Sequence, residues 1–208
     1  MPTSAILTCD IVNSTKITAA KEKKILLAIK ELFINEKIEF FRGDSFQALV
    51  KEPSHALMYA LLCRLAVIRF SKVQTPAWVD VRISIGIGEV KYPARALATG
   101  KGYAFILSGR TFDSLAKTNQ RLAITIAKPL ANEALQIVAD FANHLFEKIT
   151  GKQAEVLFEL LQGATQIAIA QKTKKTKSTI HQLATSANWI ALNKLMLQYN
   201  NIIKLAAL

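Results

Sequence analysis

Only two of the 208 residues are cysteines, Cys9 and Cys63, and neither belongs to a C-x-x-C pair. Each sits in an apolar context, so they read as core thiols rather than a disulfide or a metal site, and they point to a reducing cytosol. The three histidines, His55, His144 and His181, lie far apart with no metal-ligand spacing. No Ser-His-Asp or Cys-His constellation stands out. Glycine is missing where phosphate cradles need it. Gly86-x-Gly88 lacks a third glycine and a following helix, and Gly100-Lys101-Gly102 lacks the earlier glycine and the Ser/Thr after lysine. That excludes a dinucleotide fingerprint and a P-loop; the second stretch reads as a turn, with a flexible anion-contacting loop as the alternative. Long apolar runs are absent too: the strongest, residues 56–70, is broken by Arg64 and Arg69 and is too short to span a bilayer. The first ten residues have neither a basic segment nor a long apolar one, which predicts no signal peptide. These absences predict a soluble, cytoplasmic protein with no membrane partner. Acidic residues are the last shortage, 15 against 27 Lys+Arg, for a formal charge of +12. Such an excess suits an anionic partner, nucleic acid before membrane, because no segment has the basic amphipathic, aromatic pattern of a surface-bound helix.

At 51% hydrophobic, the chain can bury a sizeable core and hold one domain plus a smaller one. Lys37 to Val50 reads as a hairpin with a tight turn at Arg42-Gly43-Asp44-Ser45, because Ile38, Phe40, Phe46, Ala48 and Val50 alternate on either side of it. Before it, Ile6 to Asp10 is a short strand, Asn13-Ser14-Thr15 can cap a helix, and residues 17–35 have apolar residues at helical spacing. A second helix starts at Lys51-Glu52-Pro53-Ser54 and runs to about Phe70, and Pro76 closes the loop after it. In the strand 79–90, Val81, Ile83, Ile85 and Ile87 alternate with Arg82, Ser84, Gly86 and Gly88. Residues 91–102, with Pro93, Gly100 and Gly102, are turn-like; 103–117 is helical and 121–127 is a last strand. The order β-α-β-β-α-β-α-β predicts an α+β, or α/β, sandwich with helices packed on a mixed sheet. Three further helical stretches follow, about 130–149, 153–161 and 165 onward. A composition shift near Ile149-Thr150-Gly151, with the glycine ending one helix and Thr150 capping the next, predicts an α/β domain over 1–148 and an all-helical one over 149–208.

Two features carry chemistry. Asp10 closes the first strand and Asp44 sits at the hairpin tip, and two carboxylates at neighbouring strand ends can hold a magnesium ion against a nucleotide phosphate. Turn chemistry at Asp44 and helix capping at Asp10 are the competing explanation. Glu89, at another strand end, is a weaker candidate for the same corner. The second feature is Thr165 to Ala187, which fits a helix-turn-helix. Ala170 is the small residue where the helices cross, and Ile180 with Leu183 locks the second helix. Lys174 stands where glycine is usual in the turn. The recognition helix begins near Thr176 and presents Lys177, Ser178, Thr179, His181 and Gln182 outward. Lys174, Lys175 and Lys177 suit phosphates, while the short polar residues suit base edges. The competing reading is a helical bundle with a solvated lysine cluster.

Residues 6–15 (ILTCDIVNST), 43–50 (GDSFQALV), 81–90 (VRISIGIGEV) and 109–117 (GRTFDSLAK) resemble, in order and spacing, the class III nucleotidyl cyclase domain. Over nearly the whole chain, the G-D-S-F-Q at 43–47 and the terminal segment 153–195 resemble the SatD-like family of bacterial proteins, which pair such a hairpin with a terminal helix-turn-helix. The resemblance implies a cyclase-like, ferredoxin-related sheet with metal aspartates at Asp10 and Asp44. It also implies Mg2+ as cofactor, and nucleotide contacts from Asn13, Ser14, Thr15 and Lys117. Phe40 stands where cyclases carry a purine-selecting lysine, and Ile106 where the acidic purine partner falls. Asp113 and Lys117 replace the Asn and Arg that orient ribose and stabilise the transition state. The metal ligands survive and the base-selecting groups do not, which argues against cyclase activity. The resulting expectation is a transcription regulator. It binds double-stranded DNA as a homodimer through its helix-turn-helix, with a catalytically degenerate domain that senses a nucleotide or other small molecule. A metal-dependent nucleotide-processing enzyme using Asp10 and Asp44 is the alternative.

Overall fold

The computed structural model describes residues 3–41, 43–70, 79–91 and 96–207. Arg42, Pro76 and Pro93 lie outside them. Five strands form one mixed sheet: β1 (Thr3–Val12), β2 (Lys37–Phe41), β3 (Ser45–Val50), β4 (Asp80–Glu89) and β5 (Leu122–Ile126). Their order is β2-β3-β1-β4-β5, antiparallel except for β4 with β5. Helices α1 (Ala19–Leu32), α2 (Ala56–Ile68), α3 (Tyr103–Leu115) and α4 (Pro129–Phe146) alternate with the strands. Then α5 (Gly151–Leu161), α6 (Gln166–Thr173), α7 (Lys177–Ser186) and α8 (Trp189–Ala207) complete the chain. The mixed α+β architecture agrees with the sequence pattern.

Strand periodicity sorts the sheet into two faces. Leu7, Cys9, Ile11, Val81, Ile83 and Ile85 belong to one buried cluster with Ile25 of α1, Leu61 of α2 and Val138 of α4. Both cysteines are free and buried there. The opposite face carries Thr8, Asp10, Arg82, Ser84 and Gly86, and α3 lies across part of it. A side chain at Gly86 would run into the Ala104 carbonyl oxygen and the Ser108 amide nitrogen, so glycine lets α3 sit directly on β4. Thr8 and Ser108 hydroxyls are 2.7 Å apart, and the Ser84 hydroxyl donates to the Ser108 carbonyl at 2.7 Å. The alternation in β4 therefore separates an apolar layer from a close-packed small-residue layer, both covered.

Several local expectations shift. Thr18, not residues 13–15, caps α1, accepting from the Lys21 amide at 3.4 Å; Ser14–Lys16 instead form a 3-10 turn. Pro53–His55 likewise form a 3-10 turn before α2 proper. Gly151 does not end a helix. It is the first residue of α5, behind a capping box made by Thr150 and Gln153. Residues 97–99 form another 3-10 turn, and Lys91 bridges to Lys101.

The last four helices are joined to the rest through helices rather than strands. Helix α5 packs on α2, and α8 packs on α4. Val156, Leu160, Ile169 and Ile180 are buried in one contiguous apolar cluster with the sheet residues. The buried Tyr199 hydroxyl of α8 donates to the Pro53 carbonyl at 2.7 Å. Beneath α2, Arg64 is 2% exposed and makes a two-pronged pair with Asp80, at 3.1 and 2.7 Å. Asn143 accepts from Arg64 and from the amides of Arg121 and Leu122, tying α2, α4 and β5 together. No helix among the described residues is long and apolar enough to cross a membrane.

Candidate functional site

The first candidate is a corner of the sheet built by strand register. Asp10 pairs across to Ser45 on β3 and to Arg82 on β4, so its side chain lies between a hydroxyl and a guanidinium. The Ser45 hydroxyl donates to Asp10 Oδ1 at 3.2 Å, and Arg82 Nη1 is 3.8 Å from Oδ2. The hairpin tip is drawn to the same place, because the Ile11 amide donates to the Asp44 carbonyl at 3.2 Å. Gly43, at φ 87°, supplies the left-handed residue this tip requires. The Ser14 hydroxyl donates to Asp44 Oδ2 at 2.5 Å. Burial holds the Asp10 pKa above the usual carboxylate range, and the neighbouring Asp44 charge raises it further, partly opposed by Ser45 and Arg82.

Asp10, Asp44 and Ser14 therefore come together as the sequence suggested, with two additions and several absences. Arg82 and Ser45 join the corner: Ser45 belongs to the hairpin turn without standing out there as a site residue, and nothing in the local sequence marks Arg82, which only the β1–β4 register brings beside Asp10. Asn13 sits next to the corner at φ 60°, and Thr15 is exposed in the 3-10 turn. Lys117 lies exposed beyond the end of α3, with no side-chain hydrogen bond or ion pair to the corner among the described residues. Glu89 does not approach it. Antiparallel register places Glu89 opposite Thr3, at the far end of β1 from Asp10. Phe40 packs on Phe46 with ring centroids 5.4 Å apart, and Ile106 is 45% exposed on α3. Two carboxylates flanked by hydroxyls are hard oxygen donors of the kind Mg2+ accepts, with most of its shell left to water and phosphate. A divalent ion there would offset the repulsion between Asp10 and Asp44, which adds to the effect of burial on Asp10. No group of three or more His, Cys, Asp or Glu side chains that could hold a metal occurs among the described residues.

The second candidate is the α5–α6–α7 unit. Thr165 caps α6 and Thr176 caps α7, each accepting from the amide three residues on, at 3.2 and 3.1 Å. Between them Lys174 adopts φ 53°, ψ 38°, the left-handed conformation that glycine usually provides. The Lys175 amide reaches back to the Ala170 carbonyl at 3.0 Å, closing the turn. Ala170, Ile180 and Ala184 are buried, and Leu183 is half-buried. Lys177, Ser178, His181 and Gln182 are exposed on the opposite side of α7, while Thr179 is half-buried and its hydroxyl is 2.9 Å from that of Thr176. Two lysines near the turn are engaged by α5: Lys172 with Glu159 at 2.7 Å and Lys175 with Glu155 at 3.5 Å. Lys174 and Lys177 have no ion pair among the described residues.

No family model matches the chain, and no curated protein does. The likeness to the SatD-like family therefore rests on the motifs alone. Among solved structures, that of a bacterial light-regulated adenylyl cyclase is similar over 59% of this chain and 43% of that one, at 16% identity and a TM-score of 0.38. The chain thus spans less than half the length of that structure. A likeness at this level carries no inference about activity.

Proposed function

We propose that the chain is a transcription regulator that binds double-stranded DNA through α6 and α7, as a homodimer. The observation that carries this reading is the Lys174 turn. It directs α7 so that Ile180 and Ala184 lock inward while Lys177, Ser178, His181 and Gln182 face out on one side. That is the division of labour a recognition helix needs, cations for phosphates and short polar groups for base edges. Lys174 and Lys177 carry the phosphate attraction, because Lys175 already has Glu155. One such helix reads only a few base pairs, so a dimer with half-sites about one helical turn apart gives useful specificity. The remainder of the chain, residues 1–148, is the sensing and dimerising part.

An anisotropy titration against genomic fragments tests this. Lys174→Glu/Lys177→Glu is expected to weaken binding to every sequence and to flatten the salt dependence by roughly two counterions' worth. Gln182→Ala is expected to lose about 1–3 kcal/mol of discrimination with little change in nonspecific affinity. A charge-reversed chain that binds as tightly as the parent at low salt refutes the assignment.

A second reading rests on the corner where Asp10, held by Ser45, meets the Asp44 tip, held by Ser14: the corner holds Mg2+ and the phosphate of a nucleotide without turning it over. Mg2+ is then expected to raise Tm in the parent and not in Asp44→Asn. No cyclic product is expected from ATP or GTP, since the positions of Phe40 and Ile106 offer a purine no polar partner. A cyclic product abolished by Asp44→Asn would make the chain an enzyme instead.

A further inference from the structure

A cleft of about 700 Å³ opens where α1 and α2 meet α5 and α6. Leu32, Met58, Tyr59, Leu62 and Phe158 give it apolar walls, and its size lies within the usual range for small-molecule sites. Arg69, which follows α2 directly, also lines it. The guanidinium lies 4.6 Å from the Phe158 ring centroid and 5.3 Å from that of Phe70. Ring faces are weak partners for a cation. Arg69 has no ion pair among the described residues, and its Nε, shielded from solvent, has no hydrogen-bond partner there. Of the three nearby carboxylates, two are engaged elsewhere, Glu159 with Lys172 and Glu155 with Lys175, and the third, Glu31, makes no ion pair with Arg69. Burial accordingly pulls the Arg69 pKa below its usual value, with Glu159, Glu155 and Glu31 opposing only at longer range. The contrast with Arg64 is instructive. That arginine is more deeply buried, yet it has Asp80, Asn143 and the Phe146 face as partners. Arg69 is half-buried, and its Nε has lost water without gaining an acceptor among the described residues; such a group is costly until something binds it.

We propose that this cleft binds a small organic monoanion with a planar apolar body, its carboxylate seated on the Arg69 guanidinium. A guanidinium fork matches a carboxylate in two-pronged geometry, and the apolar walls suit a ring. The lining carries two cations, Arg69 and Lys172, and two carboxylates, Glu31 and Glu159. Lys172 is paired with Glu159, so Arg69 is the cation left to receive one negative charge, while Glu31 and the absence of further free cations among the described lining residues disfavour a polyphosphate or a nucleic acid. Because α5 and α6 form one wall and α1 and α2 the other, the bound anion braces the helical tail against the sheet's helical layer. The assignment does not depend on DNA binding by α7, and each can fail without the other.

The probe is benzoate, with benzamide as its neutral isostere, titrated into the full chain and followed by the arginine Nε–H resonances and by Tm. Benzoate is expected to shift the Arg69 Nε–H signal saturably and to raise Tm, with benzamide at least tenfold weaker. Arg69→Met is expected to abolish that preference. Since loss of Arg69 also removes packing on Phe158, Glu31→Gln supplies a second arm: Glu31 is exposed on α1, and its neutralisation is expected to tighten benzoate roughly two- to fivefold while leaving benzamide unchanged. Equal affinity for the two probes overturns the proposal. So does a Glu31→Gln variant with unaltered benzoate affinity, or an Arg69 signal that does not move at tens of millimolar benzoate.

Discussion

Replacing Lys174 by glycine separates the conformational role of this residue from its charge. At φ 53° and ψ 38° the lysine occupies left-handed space, which costs an L-residue about 1–2 kcal/mol. Glycine removes that cost but loses about 0.5–1 kcal/mol more chain entropy on folding. The hydrogen bonds that close the turn, Lys174 amide to Gln171 carbonyl and Lys175 amide to Ala170 carbonyl, are made by backbone and survive the change. The lysine side chain is exposed and without an ion pair among the described residues, so no contact is forfeited. Lys174→Gly should therefore stabilise the chain by about 0.5–1 kcal/mol, seen as a higher urea midpoint with unchanged slope. Lys174→Ala keeps the strained backbone and should give no gain. Under the proposed function, both variants lose the same phosphate contact, reducing the salt dependence of DNA binding by about one counterion. Stability and DNA affinity would then move in opposite directions in the glycine variant alone. A glycine variant no more stable than the alanine one would show that the turn is not strained, and the account of how α7 is oriented would fail with it.

Three other perturbations probe the scaffold. Gly86→Ala should cost about 1–3 kcal/mol by overpacking, because its Cβ meets α3 backbone; Gly88→Ala, whose nearest contact is 3.3 Å from the Ala104 amide, should be milder, and equal urea midpoints would refute the close approach. Arg64→Met leaves Asp80 buried without its guanidinium and should cost about 3–5 kcal/mol; adding Asp80→Asn should recover part of that loss in a double-mutant cycle, and additive costs would deny the coupling. Asp10 is held above its ordinary pKa of 3.8 by burial and then by Asp44. The folded chain therefore keeps this proton longer than the unfolded chain, and stability declines as pH rises from about 3.8 through the folded value. Asp10→Asn escapes this decline, so its stability relative to the parent should grow across that window; parallel urea midpoints at successive pH values would contradict it.

Much of the architecture was legible locally. Alternation in β1, β3 and β4, the Gly43-Asp44 tip and the helical spacing of α1 to α4 are set by residues within a few positions of one another, where backbone sterics and periodicity act directly. The Lys174 turn belongs to the same class. Its small residue, Ala170, and the start of its second helix near Thr176 fall at fixed offsets whatever the rest of the chain does; the caps at Thr165 and Thr176 emerge with the structure. Capping was less secure: residues 13–15 have the right chemistry to cap α1, yet the Ser14 hydroxyl is taken by Asp44, thirty positions away, and Thr18 caps the helix instead.

What the tertiary structure decided are the pairings that depend on register and on surface shape. Arg82 looks like an ordinary strand-face cation until antiparallel pairing sets it beside Asp10. Glu89 looks equally suited to that corner, and the same register carries it to the opposite end of β1. Gly86 reads as a weak strand residue, and only the seating of α3 reveals why a side chain is excluded there. Arg69 reads as an interruption of an apolar helix, and only the meeting of α1, α2, α5 and α6 sets it in a cleft, with its Nε lacking a hydrogen-bond partner among the described residues. Periodicity along a chain records which face a residue takes. It carries no record of what lies across that face, because side-chain partners are chosen by the packing of elements distant in sequence.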